Sequence, residues 1–169
     1  MQKDSILNII LVGVGLCIVC GAVISTVAVS LRDQQEQNVI FDQQSKIIDA
    51  ARLLEVYPSS QEALDSIEEV VVNLNDGQPS SILPQQYDLD SILRDPSQHT
   101  VLNGSEDIAM ISVRENLSKV YIEYRNNELK TLILPVRGYG LWGTLYGYLA
   151  LDSDLNTIVG LEFYKHKET

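Results

Sequence analysis

Near its amino terminus the chain carries an unbroken apolar run, after which apolar and polar positions begin to alternate. Residues Ile6 to Leu31 include no charged side chain and only a few small polar ones. Because about 20 apolar residues suffice for a helix to cross ~30 Å of hydrocarbon, this run predicts a transmembrane helix. A cleaved signal peptide is the alternative, since Ala28-Val29-Ser30 has small residues of the cleavage type, but the run is longer than the roughly 7–15 residues of a signal core.

Beyond the apolar run, apolar residues recur at helical spacing. Between Asp33 and Leu54 they follow one side of a helix whose opposite side is rich in glutamine, so we expect the membrane helix to continue as a stalk until Pro58. Ser59-Ser60-Gln61-Glu62 then has the form of a capping box, which predicts an amphipathic helix from there to about Asn73. These patterns divide the chain into a membrane anchor at 1–32, a helical stalk at 33–57 and a domain at 58–169.

The second half of the chain has the two-residue period of strands. Alternation at Val120, Ile122 and Tyr124 predicts one strand. Further strands are expected at 129–136, 146–151 and 157–164, with turns at Asn126-Asn127 and 152–156. Residues 85–103 have no clear period and are interpreted as a solvated loop, because their acidic residues lack the spacing of a calcium loop. Helices followed by an antiparallel meander indicate an α+β domain.

The formal net charge of −11 lies almost wholly after the membrane helix. A domain of that charge is repelled by phosphate backbones, which argues against nucleic acid as a partner. Lys3 precedes the apolar run and acidic residues follow Arg32, so we expect a cytoplasmic amino terminus and an extracytoplasmic domain.

Small residues in the membrane run suggest helix contacts rather than chemistry. Cys17 and Cys20 have the C-x-x-C spacing of redox motifs, but they lie in the middle of the run and are interpreted as packing residues. Gly13, Gly15 and Gly21 allow the close approach of another helix, so membrane partners are expected. Because no cysteine follows the run, no disulfide is expected in the domain.

A segment rich in glycine and aromatic residues, PVRGYGLWGTLYGYLAL at 135–151, holds the candidate chemistry. Gly138, Gly140 and Gly143 lie between two predicted strands, where the chain must turn and where a flat ligand could approach the backbone. Packing at a sheet edge is the alternative explanation, and the segment does not open a helix as a Rossmann phosphate loop does. The two histidines of the chain are interpreted as surface residues, so no metal site is expected.

These features together resemble a known family, the C subunit of the Na+-translocating NADH:quinone reductase. The resemblance rests on the single membrane helix with its stalk, the Arg94-Asp95-Pro96 turn, the strand KVYIEYR, and above all the run from Gly138 to Thr169. It implies an FMN-binding domain in which a small set of positions contacts the flavin. Those positions are Gly140, Leu141, Trp142, Tyr146, Gly147, Glu168 and Thr169.

The sequence also departs from the family it resembles. Members attach FMN through a phosphoester bond to a hydroxyl-bearing residue of an S-G-A-T motif, which follows an E-T-P-G-L-G segment. This sequence stops at Glu168-Thr169 and contains no S-G-A-T. We therefore expect the amino-terminal part of a flavoprotein, with a domain truncated at its carboxyl end and without the covalent threonine site.

The function that the resemblance implies is electron relay. The expected protein is a subunit of a translocase in the bacterial inner membrane, with its domain in the periplasm, where FMN relays electrons toward quinone while the complex exports Na+. The expected partners are membrane lipid and other subunits, at which NADH, quinone and Na+ bind. No residue of this chain is itself expected to be catalytic or to bind a metal.

Two alternatives stay open at this point. The G subunit of the related ferredoxin-linked electron-transport complex shares the anchor and the FMN domain, although the long insertion between stalk and strands favours the quinone reductase. The other alternative is a tethered extracytoplasmic binding or structural domain without a redox role. On that hypothesis Trp142 is a buried packing residue, and Trp142→Ala costs about 3–5 kcal/mol of stability.

Overall fold

The computed structural model describes residues 6–167, with side chains from Asn8 onward. Within that range the chain forms three α-helices and seven strands, and it divides into two compact units, Met1–Phe41 and Asp42–Thr169. The helices are α1 Ile6–Ala50, α2 Ser60–Asp65 and α3 Leu89–Arg94. The strands are β1 Ile67–Asn73, β2 His99–Val101, β3 Val113–Glu115, β4 Leu117–Arg125, β5 Glu128–Tyr139, β6 Thr144–Asp152 and β7 Ile158–Lys165.

Within the described residues, the first unit is the part of α1 up to Phe41. Among the described residues, the stretch Asn8–Ala50 is long and apolar enough to cross a membrane, and its most apolar window is not buried by any other part of the chain. Exposed apolar side chains all round a helix are typical of a segment that faces lipid. The predicted membrane helix is therefore a candidate span in the structure, and its orientation stays a prediction.

The second unit is built on a five-stranded antiparallel sheet in the order β1-β4-β5-β6-β7. Consecutive strands from β4 to β7 are neighbours, as in the predicted meander. Asn126 and Asn127 both adopt positive φ angles, 55° and 61°, in the tight turn between β4 and β5. Positive φ at both central residues suits the right-handed twist of a hairpin, so the Asn-Asn turn is confirmed.

One face of the sheet, here called the inner face, packs against the last turns of α1. Ile47, Ile48 and Leu53 belong to one buried cluster with Ile133 of β5 and Ala150 of β6. The approach is close because strand β7 has no side chain where it meets the helix: a Cβ atom at Gly160 would collide with the carbonyl oxygen of Ala50. The end of α1 is therefore part of the hydrophobic core of the second unit.

Three predictions about the helices and loops were wrong in part. The helix α1 ends at Ala50, earlier than the predicted stop at Pro58, because Arg52 adopts a left-handed conformation with φ 52°. Ser59 does cap α2, since its side chain accepts a hydrogen bond from the backbone N–H of Glu62, but α2 stops at Asp65. The rest of the predicted helix is strand β1, which pairs with β4 along its whole length.

The predicted solvated loop at 85–103 also contains regular structure. Asp88 caps α3 by accepting a hydrogen bond from the N–H of Asp90. His99 begins strand β2, which pairs with β3 in a small separate sheet. Even so, the α+β prediction for the domain as a whole is confirmed by the long helix and the antiparallel sheet.

Candidate functional site

The glycine-rich segment forms the hairpin of β5 and β6, and its turn is exposed. The N–H of Gly140 donates a 2.8 Å hydrogen bond to the carbonyl oxygen of Gly143, which closes the turn. Leu141 and Trp142 lie between them and are 80% and 66% exposed. The expectation that Trp142→Ala removes a buried tryptophan and costs about 3–5 kcal/mol is therefore wrong, because most of this side chain is already in contact with solvent.

The predicted site residues do not line a single cavity. Tyr146 and Gly147 are neighbours on β6, and successive residues of a strand face opposite sides of the sheet. Tyr146 lies on the inner face, whereas a Cβ atom at Gly147 would lie 2.7 Å from the carbonyl oxygen of Glu162 and 2.9 Å from the ring of Phe163. The remaining two predicted residues, Glu168 and Thr169, lie outside the described residues.

A groove of about 280 Å³ lies beside the hairpin on the outer face of the sheet, the face away from the end of α1. We call it the hairpin groove. Its floor lacks a side chain at Gly138, where a Cβ atom would lie 3.7 Å from the carbonyl oxygen of Ala109. Other residues that line it are Ile108, Val136, Tyr139, Leu145, Leu161 and Phe163. An apolar lining of this kind suits an aromatic ring.

Hydrogen bonds and an ion pair connect β3 and the loop before it to strand β5 of the hairpin. The N–H of Tyr139 donates to the carbonyl oxygen of Ala109 at 2.8 Å. Arg137 donates to the carbonyl oxygen of Val113 at 2.6 Å and to the carboxylate of Glu115 at 2.8 Å. The Arg137 and Glu115 side chains are only 9% and 11% exposed. Because buried charges need partners, this ion pair fixes the position of β3, which follows the loop, relative to β5.

A second cavity, of about 260 Å³, lies on the inner face between the sheet and the beginning of α3. We call it the tyrosine cleft, because five tyrosines line it. They are Tyr87, Tyr121, Tyr146, Tyr148 and Tyr164. The rings of Tyr148 and Tyr164 stack with centroids 4.8 Å apart, and the ring of Tyr121 meets that of Tyr148 edge on at 5.6 Å. Such geometries are the ones that aromatic quadrupoles favour.

Burial favours the protonated form of four tyrosines of the cleft: Tyr87, Tyr121, Tyr148 and Tyr164. It raises the pKa of Tyr87 to about 12, with the nearby charge of Glu115 as the second cause. Burial is also the main reason why the pKa values of Tyr121, Tyr148 and Tyr164 are raised. At neutral pH these hydroxyl groups are therefore uncharged and can donate or accept hydrogen bonds.

Sequence reasoning singled out Tyr146 and Tyr148 as rings of the glycine-rich segment but missed the cleft that they line. The available signal was their two-residue spacing, which puts both rings on one face of a strand. Glu115 and Arg137 had no such signal, since their contact joins elements far apart in the chain. Across residues 6–167, no group of three or more His, Cys, Asp or Glu side chains is arranged to hold a metal ion.

No family model matches the chain, but several curated proteins and a solved structure are similar to it. The C subunit of the Na(+)-translocating NADH-quinone reductase of Pseudomonas aeruginosa is 41% identical over 99% of this chain and 66% of that protein. The corresponding C subunits of Vibrio vulnificus and Vibrio campbellii are 36% and 34% identical, again over 99% of this chain and over 66% and 67% of their own lengths. The chain thus spans about two thirds of the length of the curated relatives it matches.

Similarity extends to the three-dimensional fold. The crystal structure of Shewanella oneidensis NqrC matches with a TM-score of 0.65 and 28% sequence identity. The match covers 75% of this chain and 59% of that one.

Proposed function

The chain belongs to the family of C subunits of the Na(+)-translocating NADH-quinone reductases, and we propose that it serves such a complex as a membrane-anchored electron-transfer subunit. The observation that carries the proposal is that identity of 33–41% extends over 99% of the chain, so it includes both the apolar helix and the sheet. A protein that had kept only the anchor, or only the fold, would not match along its whole length. The proposed role makes the chain part of a translocase that exports Na+.

The anchor supports a place for the chain in a bacterial inner membrane. An apolar window free of contacts within the chain is suited to lipid and to the helices of other subunits. No ionisable residue occurs between Ile6 and Leu31 other than the two cysteine thiols, so this helix offers no ion path of its own. In the proposed complex the amino terminus is cytoplasmic, the domain is periplasmic, and NADH, quinone and Na+ bind at other subunits.

The residues of the hairpin groove fit the ring system of FMN but not its phosphate. The lining of the groove is mostly apolar and includes the aromatic side chains of Tyr139 and Phe163. Of the described residues that line it, Arg137 is the only charged one, and its guanidinium already pairs with Glu115. A phosphate needs donors that are not already engaged, so its anchor must come from groups other than these groove residues.

Within this proposal, Leu141 and Trp142 hold the flavin ring next to the groove, and the backbone of Gly140 keeps the turn in shape. FMN, when bound, supplies the electron-transfer chemistry. The chain itself contributes position and environment: apolar side chains exclude water, and the hydrogen bonds at Tyr139 and Gly140 hold the turn in place. Exclusion of water strengthens the electrostatic interactions of a bound group with the protein and so tunes its redox potential.

The comparisons do not favour the two alternatives. Each curated relative described above is a quinone reductase subunit rather than a ferredoxin-linked one. A tethered domain without a redox role predicts that the chain carries no flavin and joins no NADH-oxidising complex. The two hypotheses therefore differ in what the natural gene product contains.

The experiment isolates the native gene product from its own membranes under mild conditions, then under denaturing ones. We expect mild isolation to retain other subunits and NADH:quinone reductase activity that Na+ stimulates. We expect the denatured band to keep flavin fluorescence at a mass above the 18.8 kDa of these residues. A dark band at that mass, isolated without partner subunits, would overturn the proposal in favour of the tethered domain.

A matched pair of variants tests the hairpin. Trp142→Ala removes the exposed ring of the turn, and Leu155→Ala removes a side chain that is 52% exposed in the turn between β6 and β7. If Trp142 contacts the flavin, its variant changes the flavin absorbance spectrum and lowers electron transfer to quinone, whereas the Leu155 variant changes neither. Equal behaviour of the two variants would contradict the assigned role of Trp142.

A further inference from the structure

The tyrosine cleft has no part in the function proposed above. Its five rings differ in how far a ligand can reach them. Tyr121 and Tyr148 are only 6% and 4% exposed, so they lie behind the accessible surface of the cleft. Tyr87, Tyr146 and Tyr164 are half-buried and supply the aromatic surface that remains open. A molecule in the cleft would therefore meet chiefly the rings of these three side chains.

Ammonium groups of the chain itself already lie over two rings of the cleft. The Nζ atom of Lys119 is 5.4 Å from the ring centre of Tyr121, and the Nζ atom of Lys165 is 5.2 Å from the ring centre of Tyr146. At distances below about 6 Å the negative face of an aromatic ring attracts a positive charge. Among the described lysines and arginines, none lies over the other two half-buried rings. Those two rings are therefore open to a cation from outside the chain.

Asp88 gives the cleft a negative charge. Its carboxylate lines the cleft, is exposed, and forms no ion pair with any residue that the structure describes. It accepts hydrogen bonds from the N–H of Asp90 at 3.2 Å and from the hydroxyl of Ser91 at 2.5 Å. The hydrogen bond from Ser91 is the main cause of its lowered pKa, so the carboxylate is ionised at neutral pH.

The other charged side chains of the lining are compensated. Arg137 pairs with Glu115 at 2.8 Å, and Lys119 pairs with Glu69 at 3.2 Å. A negatively charged ligand would lose its hydration in the cleft without meeting an unpaired cation of the lining, which is costly. A positively charged ligand meets both the open ring faces and the carboxylate of Asp88. The cleft therefore favours a cation.

The composition of the walls also indicates which kind of cation fits. A primary ammonium group is strongly hydrated and has three N–H donors, which all need acceptors when water is removed. The cleft offers one unpaired carboxylate among walls that are mainly aromatic. A cation whose charge is covered by methyl groups gives up less hydration and contacts rings from several sides. The cleft volume of about 260 Å³ lies below the roughly 300–1,000 Å³ of pockets for drug-sized molecules, so the ligand is compact.

We propose that the tyrosine cleft binds a compact quaternary ammonium group, which packs on the rings of Tyr87 and Tyr164 beside the carboxylate of Asp88. The group can belong to a free solute or to a lipid headgroup, since both carry the same trimethylammonium chemistry. This site does not depend on the flavin proposal: of the predicted flavin contacts among the described residues, only Tyr146 lines it, and binding of the cation requires no flavin.

The test uses choline as probe, with two compounds that each lack one required feature. The alcohol 3,3-dimethyl-1-butanol has the shape of choline without its charge, and ethanolamine keeps the charge on a primary ammonium group. The full chain, labelled with ¹³C-tyrosine and held in nanodiscs of phosphatidylglycerol, is titrated while the ring signals are followed by NMR. The signals lost in Tyr87→Phe assign the reporter. We expect choline to shift them saturably and to bind about tenfold more tightly than either comparison compound.

Variants of the cleft connect binding to its walls. Tyr164→Leu removes an open ring, and Asp88→Asn removes the charge while asparagine still caps α3; each should weaken choline binding about tenfold. Because the cap is kept, Asp88→Asn remains a test if the Tyr164 variant does not fold. Asp154→Asn is the matched control, since it removes a carboxylate that does not line the cleft and should leave binding unchanged.

The lipid composition of the nanodiscs distinguishes the two sources of the ammonium group. If a headgroup enters the cleft, replacing half of the phosphatidylglycerol with phosphatidylcholine should shift the Tyr87 signals before choline is added and weaken the apparent binding of choline. If titrations in the two lipids agree, the site takes a free solute. The proposal is overturned if choline leaves the Tyr87 signals unmoved, if a comparison compound binds as tightly, or if the Tyr164 and Asp88 variants bind choline like the wild type.

Discussion

The most exacting test of the packing concerns the fully buried carboxylate of Glu123, which joins the end of the helical segment to the sheet. Its Oε1 atom accepts hydrogen bonds from the Tyr57 hydroxyl at 2.9 Å and from Arg125 at 2.8 Å, and its Oε2 atom accepts from the Thr131 hydroxyl at 2.9 Å. Glu123 is 0% exposed and Thr131 is 6% exposed. Thr131→Val keeps the shape of the side chain but removes the donor to Oε2.

The expected cost follows from what Oε2 loses. A hydrogen bond to a charged group contributes about 1.5–3 kcal/mol, and a buried acceptor left without its partner is not resolvated by bulk water. The added methyl group of valine offsets only part of this, because the site is already packed. We therefore expect Thr131→Val to lower the free energy of unfolding by about 2 kcal/mol, which corresponds to a fall of roughly 8 °C in the melting temperature.

The assay is thermal unfolding of the full chain in lipid nanodiscs, followed by the circular dichroism of the sheet. Thr100→Val is the matched control: its hydroxyl also donates to a side-chain oxygen, that of Asn116, but in an exposed position, so its cost should stay below about 0.5 kcal/mol. Combining Thr131→Val with Tyr57→Phe should give a non-additive loss, because both donors act on one carboxylate. If Thr131→Val melts like the control, the assigned role of the buried hydroxyl is wrong.

Three further predictions concern the packing of α1, a turn and the tyrosine cleft. Gly160→Ala should cost about 1–3 kcal/mol of stability in thermal unfolding, because the added Cβ collides with the carbonyl oxygen of Ala50. Gly104→Ala should cost nothing comparable, because no atom lies within 4 Å of its added Cβ. Equal costs for the two variants would contradict the close approach of α1 to β7. Hydrogen bonds from Thr157 and nearby N–H groups lower the pKa of Asp154, so its carboxylate stabilises the fold above the ordinary aspartate pKa of about 3.9, and this stabilisation is lost as the pH falls. The difference in melting temperature between the wild type and Asp154→Asn should therefore shrink below about pH 4. A difference that stays constant with pH would refute this prediction. Burial raises the pKa of Tyr87 to about 12, so its protonated form stabilises the fold up to about pH 10, and this stability is lost as the pH rises further. Tyr87→Phe should therefore remove a step of tyrosinate absorbance above pH 10. Superimposable absorbance titrations of the wild type and the variant would contradict this prediction.

The strands were predictable because their signals are local. The residues of β4 to β7 favour strands by themselves, and the Asn126-Asn127 pair supplies the positive φ angles that the hairpin turn requires. In β4, however, Glu123 is fully buried and Tyr124 is 42% exposed, so the apolar alternation did not predict which side chains are buried. The apolar helix was also predictable, because an uninterrupted apolar run of about 20 residues or more is by itself typical of a membrane-spanning helix. Where the pattern within ten residues is sufficient, the sequence and the structure agree.

Strand β1 was missed because two local signals competed with a distant partner. A capping box at Ser59 correctly starts a helix, and apolar residues after it fit a helical period, but Val70, Val71 and Val72 are β-branched and favour a strand. The outcome is decided by β4, to which β1 pairs across the sheet. The residues next to β1 in the sequence do not indicate that it pairs with β4. The choice between helix and strand for this segment therefore could not be made from the local sequence.

The candidate site was only partly predictable for a related reason. A motif written along the chain treats Tyr146 and Gly147 as one unit, yet the strand turns them to opposite faces, one toward the tyrosine cleft and the other away from it. The ion pair of Arg137 with Glu115 joins β5 to β3, and the sequence of neither strand alone predicts it.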